Sequence, residues 1–170
     1  MKKVFKKVAV IAIVAVTMSV SAAAQQGEKA VGGNLILGTG GSYSHVGIGG
    51  KFLFNVTDPI RLAGEFDLFP KKDFMSWWDF SVYGHYLIPV SDKVAVYPSV
   101  GLGMVGAKVD FGIRGLSYSD SWFAFSLGGG IDFALTDNLA LTGELRYKMF
   151  GGDLAGGYRA NLAVGLIYKF

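Results

Sequence analysis

The sequence has no cysteine, only four prolines and two histidines, and few charges: Asp, Glu, Lys and Arg make up 17% of its 170 residues. Without cysteine there is no disulfide framework, no thiolate metal site and no cysteine for a lipid anchor. Charge this sparse, against roughly 25% in soluble domains, excludes a disordered chain, which needs high charge and few large apolar groups. Long apolar runs are scarce as well. Val8 to Val20 spans thirteen residues, short of the roughly 20 that cross a bilayer as a helix. The uncharged stretch Val94 to Ala107 carries Pro98, Gly101, Gly103 and Gly106 and makes a poor helix. The length fits one domain.

Hydrophobic residues are plentiful at 51%, with 25 Gly, 13 Phe, 8 Tyr and 3 Trp. The first segment reads as an address. Lys2, Lys3, Lys6 and Lys7 precede the apolar run, and Ser21-Ala22-Ala23-Ala24 follows it. This order is that of a cleavable signal peptide over residues 1–24, cut after Ala24. The mature domain is then residues 25–170. Removing the four leader lysines leaves twelve basic residues against thirteen acidic, so the formal charge of +3 becomes −1. No basic stripe remains, which sets nucleic-acid binding aside.

An exported chain this apolar, without helical spans, points to a β-barrel in which every second residue meets lipid. The periodicity agrees. Leu139, Leu141, Leu145, Tyr147 and Met149 alternate with Ala140, Thr142, Glu144, Arg146 and Lys148. Tyr158, Leu162, Val164, Leu166, Tyr168 and Phe170 share a face opposite Arg159, Asn161 and Lys169. Period two marks strands with two different faces. Eight such segments of roughly nine to sixteen residues predict an all-β, eight-stranded antiparallel up-and-down transmembrane barrel. Three tight turns carry Thr57-Asp58, Ser91-Asp92 and Thr136-Asp137, residue types that bond nearby backbone groups. The other connections, Thr39–Ser44, Pro70–Ser76, Lys108–Asp120 and Met149–Gly157, are longer. Short periplasmic turns alternating with longer outer loops are expected of outer-membrane barrels.

Volume decides which face is outside. The interior of eight strands has room only for side chains, so the bulky aromatic face is placed against lipid. The face rich in Gly, Ala and Ser is placed inside. That face also carries Lys51, Arg61, Arg146, Lys148, Arg159 and Lys169 against Glu65, Asp67, Asp79, Asp132 and Glu144. Near-balance predicts an ion-pair network that plugs the lumen, with Glu144 and Arg146 near Arg159 and Asn161 on the neighbouring strand.

Catalytic chemistry finds little support. Asp79, Ser81 and His85 share one strand face, but four residues separate Ser81 from His85, roughly 13 Å of strand, too far for a hydrogen-bonded triad. His45 reads as a loop residue in the first connection. No metal or cofactor site is expected, and Gly38-Thr39-Gly40-Gly41 lacks the Lys-Ser/Thr of a phosphate loop. Lys71, Lys72, Lys108 and Arg114 cluster on the expected outer rim, where they could contact lipopolysaccharide phosphates.

These features together resemble the small outer-membrane β-barrel superfamily of the outer membrane protein A and X kind. The match covers the whole mature chain and includes its last strand, Gly165-Leu166-Ile167-Tyr168-Lys169-Phe170. Its alternate apolar residues and terminal aromatic, Tyr168 and Phe170, resemble the signal read by the barrel assembly machinery. The resemblance implies an outer-membrane location, periplasmic chaperones in transit, lipid and lipopolysaccharide as surroundings, and a monomer. It implies a porin-like barrel with a narrow or plugged polar lumen that passes small solutes or ions, or alternatively a structural or adhesive barrel acting through its outer loops. The chain departs from outer membrane protein A in ending with the barrel, and its outer loops are short.

Overall fold

The computed structural model describes residues 26–40, 43–72, 74–110, 117–151 and 157–170. Residues 1–24, expected above to form a signal peptide, and Arg114 lie outside them. Nine strand segments follow in order: β1 Lys29–Gly40, β2 Tyr43–Asn55, β3 Ile60–Lys72, β4 Met75–Tyr86, β5 Ile88–Ser91, β6 Val94–Asp110, β7 Ser117–Ala134, β8 Leu139–Phe150 and β9 Gly157–Lys169. Among the described residues no helix is long and apolar enough to cross a membrane. Apart from β4 and β5, neighbours in the chain pair antiparallel; β1 pairs with β9 from Ala30↔Lys169 to Thr39↔Ala160 and β4 pairs with β6, which closes the sheet on itself.

β4 and β5 are one stave. His85 pairs with Ser99 and Ile88 with Val96, so the register against β6 does not slip between them. Pro98 stands opposite the break and has no N–H to donate, which is why the ladder lapses there. Counted by staves, the barrel has eight strands.

The alternation resolves as two faces of one wall. Leu35, Leu62, Phe80, Phe123, Leu141, Leu145 and Val164 are exposed, whereas their chain neighbours Ile36, Ala63, Ser81, Ala124, Thr142, Glu144 and Ala163 are buried. An inside-out pattern of this kind suits a protein whose solvent on the outside is hydrocarbon.

The tight turns sit at one end together with both described termini. In each, the hydroxyl rather than the Asp accepts the backbone bond: Ile60 N–H donates to Thr57 Oγ1 at 3.2 Å, Leu139 N–H to Thr136 Oγ1 at 3.0 Å and Lys93 N–H to Ser91 Oγ at 3.4 Å. Asp58 is left to accept the Gln26 N–H at 3.0 Å, which ties the N-terminal segment to the turn.

At the opposite, loop end the strands run further than the sequence pattern predicts. β6 has 17 residues and β7 has 18, beyond the expected sixteen. Much of Lys108–Asp120, read above as a loop, is therefore ladder, from Lys108↔Ser119 to Asp110↔Ser117. His45 is likewise not a loop residue. It lies within β2, paired with Gly38, and is buried. Polar Ser, Asp and Lys residues hide this extension, because a strand that rises above the bilayer no longer needs an apolar outer face.

Candidate functional site: the charged interior and the loop-end rim

The interior is built by pairing large inward side chains with glycines on the next strand. The Tyr83 ring lies over Gly101, its register partner, so closely that a Cβ there would collide with Cδ1 of the ring. Phe69 covers Gly47 and Tyr97 covers Gly130 in the same manner. Facing large against small across a pair fills an eight-stranded lumen without splaying the strands.

Three groups of charges occupy the space so made. Nearest the turns, Arg61 Nη1 binds Asp132 Oδ2 at 2.6 Å and Arg61 Nε donates to His85 Nδ1 at 3.2 Å. The guanidinium stands 4.7 Å over the Tyr97 ring, and His85 stacks on the same ring at 4.6 Å. In the middle, Arg146 grips both oxygens of Glu65, the Nη2–Oε1 bond at 2.7 Å, and reaches Glu144 as well. Glu144 Oε1 also takes Lys51 Nζ at 2.8 Å and the Tyr97 hydroxyl at 2.7 Å. Arg146 lies 4.0 Å over the Tyr83 ring. Toward the loops, Asp79 Oδ2 takes Lys148 Nζ at 3.0 Å and Arg159. Lys148 also donates to Ser81 Oγ at 3.1 Å, and Arg159 Nε to Asn161 Oδ1 at 2.9 Å. The Arg159 guanidinium lies 4.3 Å over Phe69.

The partners differ from the neighbour-strand pairing read from the sequence. Arg146 is opposite Asn161 in register, but its bonds run to Glu65 on β3, and Arg159 bonds Asp79 on β4 rather than Glu144. Arginine and lysine are long enough to cross a lumen this narrow, so the interior is tied across its diameter as well as along its wall. Lys169 leaves the group. It sits at the turn-end rim, 3.3 Å from Glu28. Asp67 lies on the inward face opposite Asp79, and its Oδ1 has no hydrogen-bond partner, nor have Asp79 Oδ1 and both side-chain polar atoms of Asn34. Ser81 and His85 are engaged by Lys148 and Arg61, not by one another.

Sequence reading missed the aromatic part of the interior. Phe69, Tyr83 and Tyr97 are almost fully buried. Above the charges, Trp77, Trp122 and Phe150 gather with ring centroids 6.0 to 6.4 Å apart. The parity of these residues within their strands was available as a signal; the glycines opposite them explain how they fit.

At the loop-end rim, Lys71 Nζ stands 3.4 Å from Asp110 and 5.8 Å from the Phe74 ring. Lys72 Nζ donates to the Ser44 carbonyl at 2.6 Å. Lys108 is exposed. Phe74 holds a φ of 68°, unusual outside glycine, in the short connection between β3 and β4. At the other end, Tyr168 and Phe170 face outward beside the turns.

Comparison with solved structures gives the same architecture. The barrel is similar to Neisserial surface protein A at a TM-score of 0.67, with 16% identity over 84% of this chain and 96% of that one. It is similar to the attachment invasion locus protein Ail of Yersinia pestis, in complex with the heparin analogue sucrose octasulfate, at 0.61, with 19% identity over 86% of this chain and 100% of that one. It is also similar to the N-terminal β-barrel domain of Pseudomonas aeruginosa OprF at 0.55, with 18% identity over 84% and 100%. Identities this low speak for the fold alone. No curated protein matches the sequence significantly. Residues 9–170 match the family described as outer membrane protein beta-barrel domain, so the chain belongs to that family and its place is the outer membrane.

Proposed function

We propose that the protein is a closed outer-membrane barrel that works through its loop-end surface, with the interior acting as a structural plug. The observation that carries this reading is the three stacked groups of buried ion pairs, Arg61–Asp132, Glu65–Arg146–Glu144–Lys51 and Asp79–Lys148–Arg159, which follow one another along the lumen. Buried charges held by several partners are costly to separate, so solutes do not pass them readily. The test is conductance of the mature chain, residues 25–170, refolded into a planar bilayer, with a boiled-versus-unboiled gel to report folding. A folded, silent barrel is expected. Steady discrete openings that respond to Glu144→Gln or Arg146→Gln refute the plug.

A porin-like reading has its own support. The four unpartnered polar atoms of Asn34, Asp67 and Asp79 call for water in the interior, and water there is the beginning of a narrow path for ions. The same recording distinguishes the two.

At the surface, Lys71, Lys72 and Lys108 are the cations suited to lipopolysaccharide phosphates; the relative Ail is named for attachment and carries a sulfated ligand. Loss of lipopolysaccharide affinity in Lys71→Ala/Lys72→Ala checks this contact. Tyr168 and Phe170 serve as the assembly signal, presented to the barrel assembly machinery after chaperoned transit, and residues 1–24 as the leader.

A further inference from the structure

The outer wall has one flaw near the loops. β3 and β4 keep one register as far as Phe69↔Trp77, then resume at Lys72↔Met75. Pro70 and Lys71 therefore stand against Ser76 alone, a β-bulge, and Pro70 has no N–H to bridge the gap. A half-open cavity of about 450 Å³ lies at this place, within the range of small-ligand sites. Its lining comes from both faces of the sheet. Leu68, Trp78 and Ile48 belong to the lipid-facing side, and Phe69 and Trp77 to the interior. The Trp78 indole covers Gly106, its register partner, so closely that a Cβ there would collide with the ring, and Trp78 lines the cavity. Lys108 lines the same cavity and pairs in register with Ser76 and Ser119.

We propose that this cavity seats one acyl chain of a phosphorylated lipid from the surrounding leaflet, with Lys108 holding the phosphate. The cavity is continuous with the wall that lipid already covers, so its occupant arrives from the membrane. An apolar seat with a cation at its edge fits an amphiphile with an anionic head. The proposal rests on the lipopolysaccharide contact at the rim and adds to it a place for the chain. The bulge at Pro70 is what gives the chain an entry, since an intact ladder keeps lipid on the surface of the wall.

The experiment uses the intact mature barrel in phosphatidylcholine bilayers with a small fraction of phosphatidic acid bearing a photoreactive diazirine at its chain end. Labelled residues are read by mass spectrometry. Labelling is expected to concentrate on Phe69, Pro70 and Trp77, about tenfold above Leu145 and Val164, which face bulk lipid. That factor is what one charge-assisted hydrogen bond contributes. Excess unlabelled phosphatidic acid removes the excess, phosphatidylcholine does not, and Lys108→Ala lowers it to the bulk level. Ser76→Phe, which fills the cavity from the outward face, abolishes it while the unboiled gel band stays. Labelling spread over the belt in proportion to exposure overturns the proposal. If lipopolysaccharide affinity then still falls in Lys71→Ala/Lys72→Ala, the rim contact stands and only the seated chain is wrong. If that affinity is unchanged too, both readings fail.

Discussion

Arg146 is the most informative residue to remove. It holds both oxygens of Glu65, shares Glu144 with Lys51 and Tyr97, and lies on the Tyr83 ring. Arg146→Met keeps much of the volume and deletes the charge. Glu144 retains Lys51 at 2.8 Å and the Tyr97 hydroxyl at 2.7 Å, but Glu65, 2% exposed, loses its bidentate partner inside the wall. Breaking a buried pair from one side costs about 3–5 kcal/mol, mostly for the charge left behind. Glu65→Leu alone strands Arg146 less, because Glu144 remains, so about 1–3 kcal/mol is expected for it. The double variant Glu65→Leu/Arg146→Met removes the orphan and is expected to recover at least about 2 kcal/mol relative to the sum of the singles. Urea unfolding in lipid vesicles, followed by tryptophan fluorescence and by the unboiled gel band, measures all three. Additivity within about 0.5 kcal/mol would refute the account, since it would mean the interior is wet enough for Glu65 to be solvated without Arg146.

Gly101→Val is expected to block folding or cost about 3 kcal/mol or more, because its Cβ collides with the Tyr83 ring; overpacking of this kind is not relieved by backbone movement in a closed sheet. The companion Gly101→Val/Tyr83→Ala should regain the heat-resistant band, which the gel reads directly. Leu145→Arg, on the lipid face at 61% exposure, should lower stability in vesicles by about 2–4 kcal/mol, whereas Leu145→Phe should be nearly neutral. Phe170→Ala should reduce the folded fraction in outer membranes of cells yet leave refolding into vesicles unchanged, the result expected of the assembly signal proposed above. N-terminal sequencing of protein from those membranes is expected to begin at Gln25.

The strand pattern was legible because period two is a local property. Leu139 to Met149 alternates whatever the rest of the chain does, and a wall between lipid and a polar interior forces the alternation to be strict. The sides of the wall followed from volume, and so did the inward placement of Glu65, Arg146 and their fellows. The ends of strands were less legible. Lys108–Asp110 and Ser117–Asp120 are paired although nothing in their polarity says so, since above the membrane both faces meet water.

What the sequence determined by itself is therefore the architecture: eight staves, their two faces and the three tight turns. Each depends on residues close together in the chain. The tertiary structure alone decided who meets whom. Arg146 binds Glu65 and not a neighbour on β9, Arg159 crosses to Asp79, Tyr83 lies on Gly101, and Pro70 opens the wall beside Trp78. Those partnerships depend on closure and on the register of every ladder between the strands concerned. A one-residue slip anywhere would turn the inward set outward, and only the closed barrel fixes the register everywhere at once.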